Sequence, residues 1–131
     1  LLQVIDFNNQ VKNQILTLEN KCSDMCKRME EKHRDEFQKL DAHLTIECLR
    51  TLKGKIVDQT SMFEPCYESF IEIGIEKDEE SYPNAYIPIW RCKSELFHKV
   101  GYMTKYSFLE IEKKVDYMIQ EMLQERLEEI D

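Results

Sequence analysis

Cys22 and Cys26 stand one helical turn apart, and with Cys48, Cys66 and Cys92 they are the residues of this chain with the widest chemical range. On a helix, positions i and i+4 share a face, a spacing that suits a disulfide framework, a metal site or plain packing. Zinc takes about four ligands at set spacings, and the nearest further donors, His33, His43 and Cys48, are strung singly along the chain. No metal is expected. A buried thiol behaves as a small hydrophobe, and Cys22, Cys26 and Cys48 lie on or beside an apolar stripe, so packing stands beside disulfide pairing as a reading. If residues 11–52 form one helix, Cys26 and Cys48 are roughly 33 Å apart at its rise per residue, whereas bridged Cα atoms need about 4.4–6.8 Å. Their partners would then lie on the returning chain, and Cys66 could bridge Cys92 across a short excursion. An odd cysteine count leaves at least one thiol free or committed to another chain.

Catalytic readings find less support. A nucleophilic thiol needs an electropositive setting and a nearby base, and the closest histidine to Cys26 is His33, seven residues along the same stripe. The pairs Glu79-Glu80 and Glu128-Glu129 diverge by about 100° if helical and make no acid/base couple. With three glycines in all, there is no phosphate-cradling loop. The chain is expected to have no catalytic site and no cofactor.

The elements that would position these residues read as helices. Val11 to Leu52 contains no Gly or Pro, and Val11, Ile15, Leu18, Cys22, Met25, Met29, His33, Phe37, Leu40, Leu44, Cys48 and Leu52 recur at steps of three and four. The spacing predicts a long helix over 1–53, with Asp41 as a point where it could break. Short helices are expected over 55–75, Pro65 opening the second. Residues 76–91 contain Pro83 and Pro88 and read as an extended connector whose Tyr82, Tyr86, Ile87 and Trp90 form a sticky strip. These aromatics either cap the chain's own core or meet a partner. From 93 to 130 helical spacing resumes, through Phe97, Val100, Met103, Phe108, Ile111, Val115, Met118, Ile119, Met122, Leu127 and Ile130. The fold class expected is all-α: one domain over 1–131, a long, coiled-coil-like antiparallel helical hairpin with short helices and the aromatic connector between its arms.

Charge narrows the partners. The chain has a formal net charge of −8, with nine acids against nine bases over 1–53, eight against three over 54–92 and nine against six over 93–131. No basic cluster offers the footprint that nucleic acid demands. No apolar run approaches the roughly 20 residues of a membrane span. The sequence begins at Leu1 rather than Met, which fits a cleaved targeting segment and a truncated chain equally well.

Cys22-x-x-x-Cys26, followed by Leu44-Thr45-Ile46-Glu47-Cys48, resembles a degenerate form of the twin CX3C pattern of the small Tim chaperones and related helical-hairpin proteins of the mitochondrial intermembrane space. Position 52, where the pattern has its fourth cysteine, is Leu52. Ser81-Tyr82-Pro83-Asn84 with Cys92-Lys93-Ser94-Glu95 is similar to a segment of the twin-cysteine accessory subunits of respiratory complex I. The resemblance implies a mitochondrial, intermembrane-space protein of structural type. The function expected is a non-catalytic accessory subunit that packs by helix–helix contact in a larger complex, a respiratory-chain or ATP synthase assembly, touching a membrane complex at most peripherally. The alternatives are a small Tim-like chaperone and a cytoplasmic or cytoskeletal tethering coiled coil.

Overall fold

A computed structural model describes residues 2–6, 8–58, 61–94 and 99–130. The order of elements is β1 (Leu2–Asp6), α1 (Asn9–Gln38), β2 (His43–Leu52), β3 (Lys55–Ile56), β4 (Tyr67–Lys77), β5 (Glu80–Ser94), β6 (Lys99–Thr104) and α2 (Phe108–Ile130). The strands form one antiparallel sheet in the order β1-β6-β5-β4-β2-β3. The fold is therefore mixed helix and sheet, and the expectation of an all-α, coiled-coil-like helical hairpin is corrected.

Of the helix expected over 1–53, only Asn9–Gln38 is helical; Leu2–Asp6 form a strand instead. Asn8 caps its start, its side chain accepting from the Val11 N–H at 2.9 Å. At its end Asp41 takes a left-handed φ of 55°, the Ala42 N–H donates to the Phe37 carbonyl and the Asp41 N–H to the Gln38 carbonyl. That is the paired bonding of a Schellman terminus, with Asp41 where glycine is usual. The chain breaks at the residue where the sequence allowed a break, yet a strand returns instead of a helix. In β2 the residues Leu44, Ile46, Cys48, Arg50 and Leu52 alternate toward α1. The steps from Leu44 to Cys48 to Leu52 satisfy a period of two as well as one of 3.6, which is why this stretch passed for helix.

Among the described residues of 55–75 the expected short α-helices do not form, and Ser61 alone has 3₁₀ geometry. Lys53 and Gly54, with φ of 51° and 82°, make a two-residue turn into β3, and β4 buries Tyr67, Ser69, Ile71, Ile73 and Ile75 on one face. The connector is extended as expected, but it forms β5, a strand inside the sheet. Its prolines are accommodated by bulges. Phe70 faces Pro88 while Ser69 faces Trp90, so Ile89 is the extra residue; Gly74 faces Pro83 while Ile73 faces Ala85, so Asn84 is the second. Each bulge follows a proline, where the missing N–H would otherwise interrupt the ladder. Residues 99–104, expected as the start of the last helix, form β6. There Gly101 lies against Trp90, and a Cβ at this position would run into the indole ring. The position of Phe97 lies outside the described residues.

Both helices lie on one face of the sheet. The core between the layers is built from Ile15, Cys22, Met25 and Phe37 of α1, Ile111, Val115 and Ile119 of α2, and the strand residues Leu44, Ile71, Ile73, Ile89 and Trp90. The ion pairs Arg28–Glu112 and Lys32–Asp116 advance four residues along both helices, so α1 and α2 run in the same direction. A Ser107–Glu110 capping box starts α2, each side chain accepting from the other's backbone N–H at 3.2 Å.

Candidate functional site

The cysteines are drawn together by the turn at Asp41. With α1 folded back on β2, Cys48 lies close enough to Cys22 and Cys26 to influence both thiols, which replaces the wide separation that a continuous helix would have imposed. No two of the five sulfurs are bonded, so the expected disulfide framework is corrected. Burial, then the neighbouring Cys48 and Glu19, pushes the Cys22 thiol up to about 12. Burial and Glu19 push Cys48 up to about 11, and Cys26 is raised further still, chiefly by burial. The Cys48 thiol donates to the Glu19 carbonyl at 3.8 Å. Thiols held protonated in apolar surroundings are poor nucleophiles, and these three serve as core. Cys92 accepts from the Trp90 indole N–H at 2.9 Å. Cys66 is exposed, in the turn before β4, with a φ of 72°. No group of three or more His, Cys, Asp or Glu side chains placed to hold a metal occurs among the described residues.

A charged cluster sits inside the fold. Glu19 is fully buried in the middle of α1 and accepts from Arg50 Nε of β2 at 3.0 Å and from the Tyr67 hydroxyl of β4 at 2.8 Å. Burial and the Glu19 charge hold the Tyr67 phenol above its ordinary value, and Glu19 keeps Arg50 charged against the opposing effect of burial. The triad ties α1 to β2 and β4, and none of its three side chains lines any of the clefts described below. Sequence reasoning missed it because Leu18, next to Glu19, completed the apolar stripe. The buried seam runs through Ile15, Glu19, Cys22, Cys26 and Met29.

A second cluster joins the helices. The His33 ring is 5% exposed, with Nδ1 at 3.2 Å from Glu36 Oε1 and Nε2 at 3.1 Å from Asp116 Oδ1. Lys32 reaches the same Asp116 oxygen at 3.3 Å. Partial burial would raise Asp116, but the hydrogen bonds from His33 and Lys32 outweigh it and hold this carboxyl below its usual range. The stripe histidine is thus a satisfied packing residue.

The aromatic connector divides by side. Ile87 and Trp90, expected at a partner interface, are 2% and 1% exposed and belong to the core. Tyr82 and Tyr86 are 51% and 54% exposed. Tyr86 stands on the sheet face that carries no helix, and strand register arranges this face in rows. Leu49, Phe70 and Pro88 form one row, Glu47, Glu72 and Tyr86 the next, and Thr51, Glu68 and Arg91 a third. The rings of Phe70 and Tyr86 lie 4.9 Å apart, and a cleft of about 500 Å³ opens beside them against Glu68 and Glu72. Arg91 lies over the Tyr102 ring at 4.7 Å. Sequence reasoning gave Phe70 to a helix. The period-two run from Tyr67 to Ile75 carried the signal that would have placed it opposite Leu49. No protein-family model, curated protein or solved structure matches this chain.

Proposed function

We propose that this chain is a non-catalytic subunit of a protein assembly and that it meets its partner through the helix-free face of the sheet. The observation that carries this reading is the division of labour between the two faces. Both helices spend their apolar stripes on the chain's own core, from Val11 to Phe37 in α1 and from Ile111 to Met122 in α2. The opposite face keeps Leu49, Phe70 and Pro88 half-buried and Tyr86 exposed, under no helix. Aromatic anchors beside apolar neighbours are the side chains that dominate binding at protein interfaces. The partner contact expected between helices thus moves, in this proposal, to a sheet surface.

Reactivity supports the non-catalytic half. The thiols best placed by spacing are buried and protonated, and the buried carboxylate has both oxygens engaged. The test is site-specific photo-crosslinking in cells, with a photoreactive side chain at position 86 and, separately, at the exposed α1 position 27. A defined protein adduct from position 86 and none from 27 is the expected result. Adducts from 27 alone, or none from either, would sink the proposal.

A further inference from the structure

The chemistry of the partner can be read from the charges around the open sheet face, an inference that rests on the docking reading above. Glu47 and Glu72 face each other across β2 and β4 in direct register, both on this face. Like charges directly opposite on a sheet destabilise it, whereas opposite charges there attract. Glu68 and Glu76 stand on the same face of β4, and no ion pair within 4.0 Å engages any of the four carboxylates among the described residues. Arg91, at the far row, is occupied over Tyr102. Three of these acids, Glu47, Glu72 and Glu76, line a shallow groove with Ser81 and Pro83. Glu72 also lines the aromatic cleft of Phe70 and Tyr86. Acidic groove and aromatic cleft are therefore neighbours that share Glu72 and Pro83 in their walls.

We infer that the face takes a basic segment of a partner protein, with an arginine or lysine set between Glu47 and Glu72 and an adjacent apolar side chain in the cleft beside Phe70 and Tyr86. A guanidinium or ammonium there answers two carboxylates at once and relieves their repulsion. An arginine at that place also lies within reach of the Tyr86 ring, whose face attracts cations. An acidic or nucleic-acid partner would add to the repulsion. The chain as a whole, at a net charge of −8, steers basic partners toward itself.

The test selects binders to the whole chain from a short random-peptide library displayed on phage, then measures the recovered peptides by fluorescence anisotropy against the wild type, E47Q/E72Q and Y86A. Peptides rich in Arg or Lys beside an aromatic or branched residue are expected, with affinity falling about tenfold or more on E47Q/E72Q and weakening as salt rises. The free E47Q/E72Q chain should also melt higher than wild type, because the repulsion is removed without loss of a contact. Neutral or acidic peptides that are lost with Y86A but indifferent to E47Q/E72Q would overturn the basic partner and leave the docking face standing. Peptides indifferent to both variants, or no enrichment at all, would overturn both. Circular dichroism of each variant separates loss of binding from loss of fold.

Discussion

Removing the Glu19 side chain would leave the Arg50 guanidinium, 14% exposed, against apolar surface with no carboxylate to answer it. Breaking such a pair from one side costs about 3–5 kcal/mol, so Glu19→Ala should lower urea stability by that order. Tyr67→Phe, which removes one donor and keeps the ring, should cost about 1 kcal/mol; a loss below that for Glu19→Ala would mean the triad is solvated. The thiols make a second case at this scale. With Cys22 raised to about 12 and Cys48 to about 11, their stabilising contribution is complete below the ordinary thiol value and is lost as pH rises through these raised values. Iodoacetamide near neutral pH should label Cys66 first and leave Cys22, Cys26 and Cys48 unmodified until the chain is unfolded, as mass spectrometry of the digest would show. Rapid labelling of Cys22 in the native chain would contradict the burial. The sequence showed that Cys22 and Cys26 share a helix face. It could not show Glu19 as their neighbour, because a glutamate beside an apolar stripe reads as surface until the strand bearing Arg50 and Tyr67 is placed against it.

At the scale of elements, the seam between α1 and α2 depends on Asp116, which answers both His33 and Lys32. A carboxyl held below its usual value contributes stability that is present above the unfolded-state value and lost as pH falls through the folded one. Asp116→Asn should therefore destabilise at neutral pH, by at most about 1 kcal/mol at this partly exposed site, and the difference from wild type should begin to shrink as pH falls below the ordinary aspartate value of about 3.9 and vanish only below the lowered folded-state value. Urea midpoints across that range would check it. Helices were legible where a long 3.6-residue period ran uninterrupted, as from Val11 to Phe37 and from Ile111 to Met122. The strands were not, for two physical reasons. Steps of four are common to both periods, so Leu44, Cys48 and Leu52 could not arbitrate; Ile46, buried at 7% and outside the helical stripe, was the residue that could. Prolines argue against an inner strand, and only the bulges at Ile89 and Asn84 reconcile Pro88 and Pro83 with one.

For the whole molecule, the single tryptophan is a reporter of assembly of the layers. Trp90 is 1% exposed and packs in the core that α1, α2 and the sheet share. Its fluorescence and the helical circular dichroism should therefore melt together in one transition, as a single cooperative unit requires. Helix loss at lower temperature than the indole signal would show that the helices come away from an intact sheet. The sheet's outer boundary has its own signature. β3 pairs only with Thr51 and Leu52, and the Val57 N–H adds a bond to the Arg50 carbonyl at 2.8 Å. Arg50 thus directs its backbone groups away from β4, and by alternation so do Cys48, Ile46 and Leu44, on the side where β3 reaches no further than Thr51 and Leu52. In deuterated water the amides of Ile46 and Cys48 should exchange early and those of Thr45, Glu47 and Leu49 late. Along this strand the side chains most hidden from water would belong to the amides least protected from it.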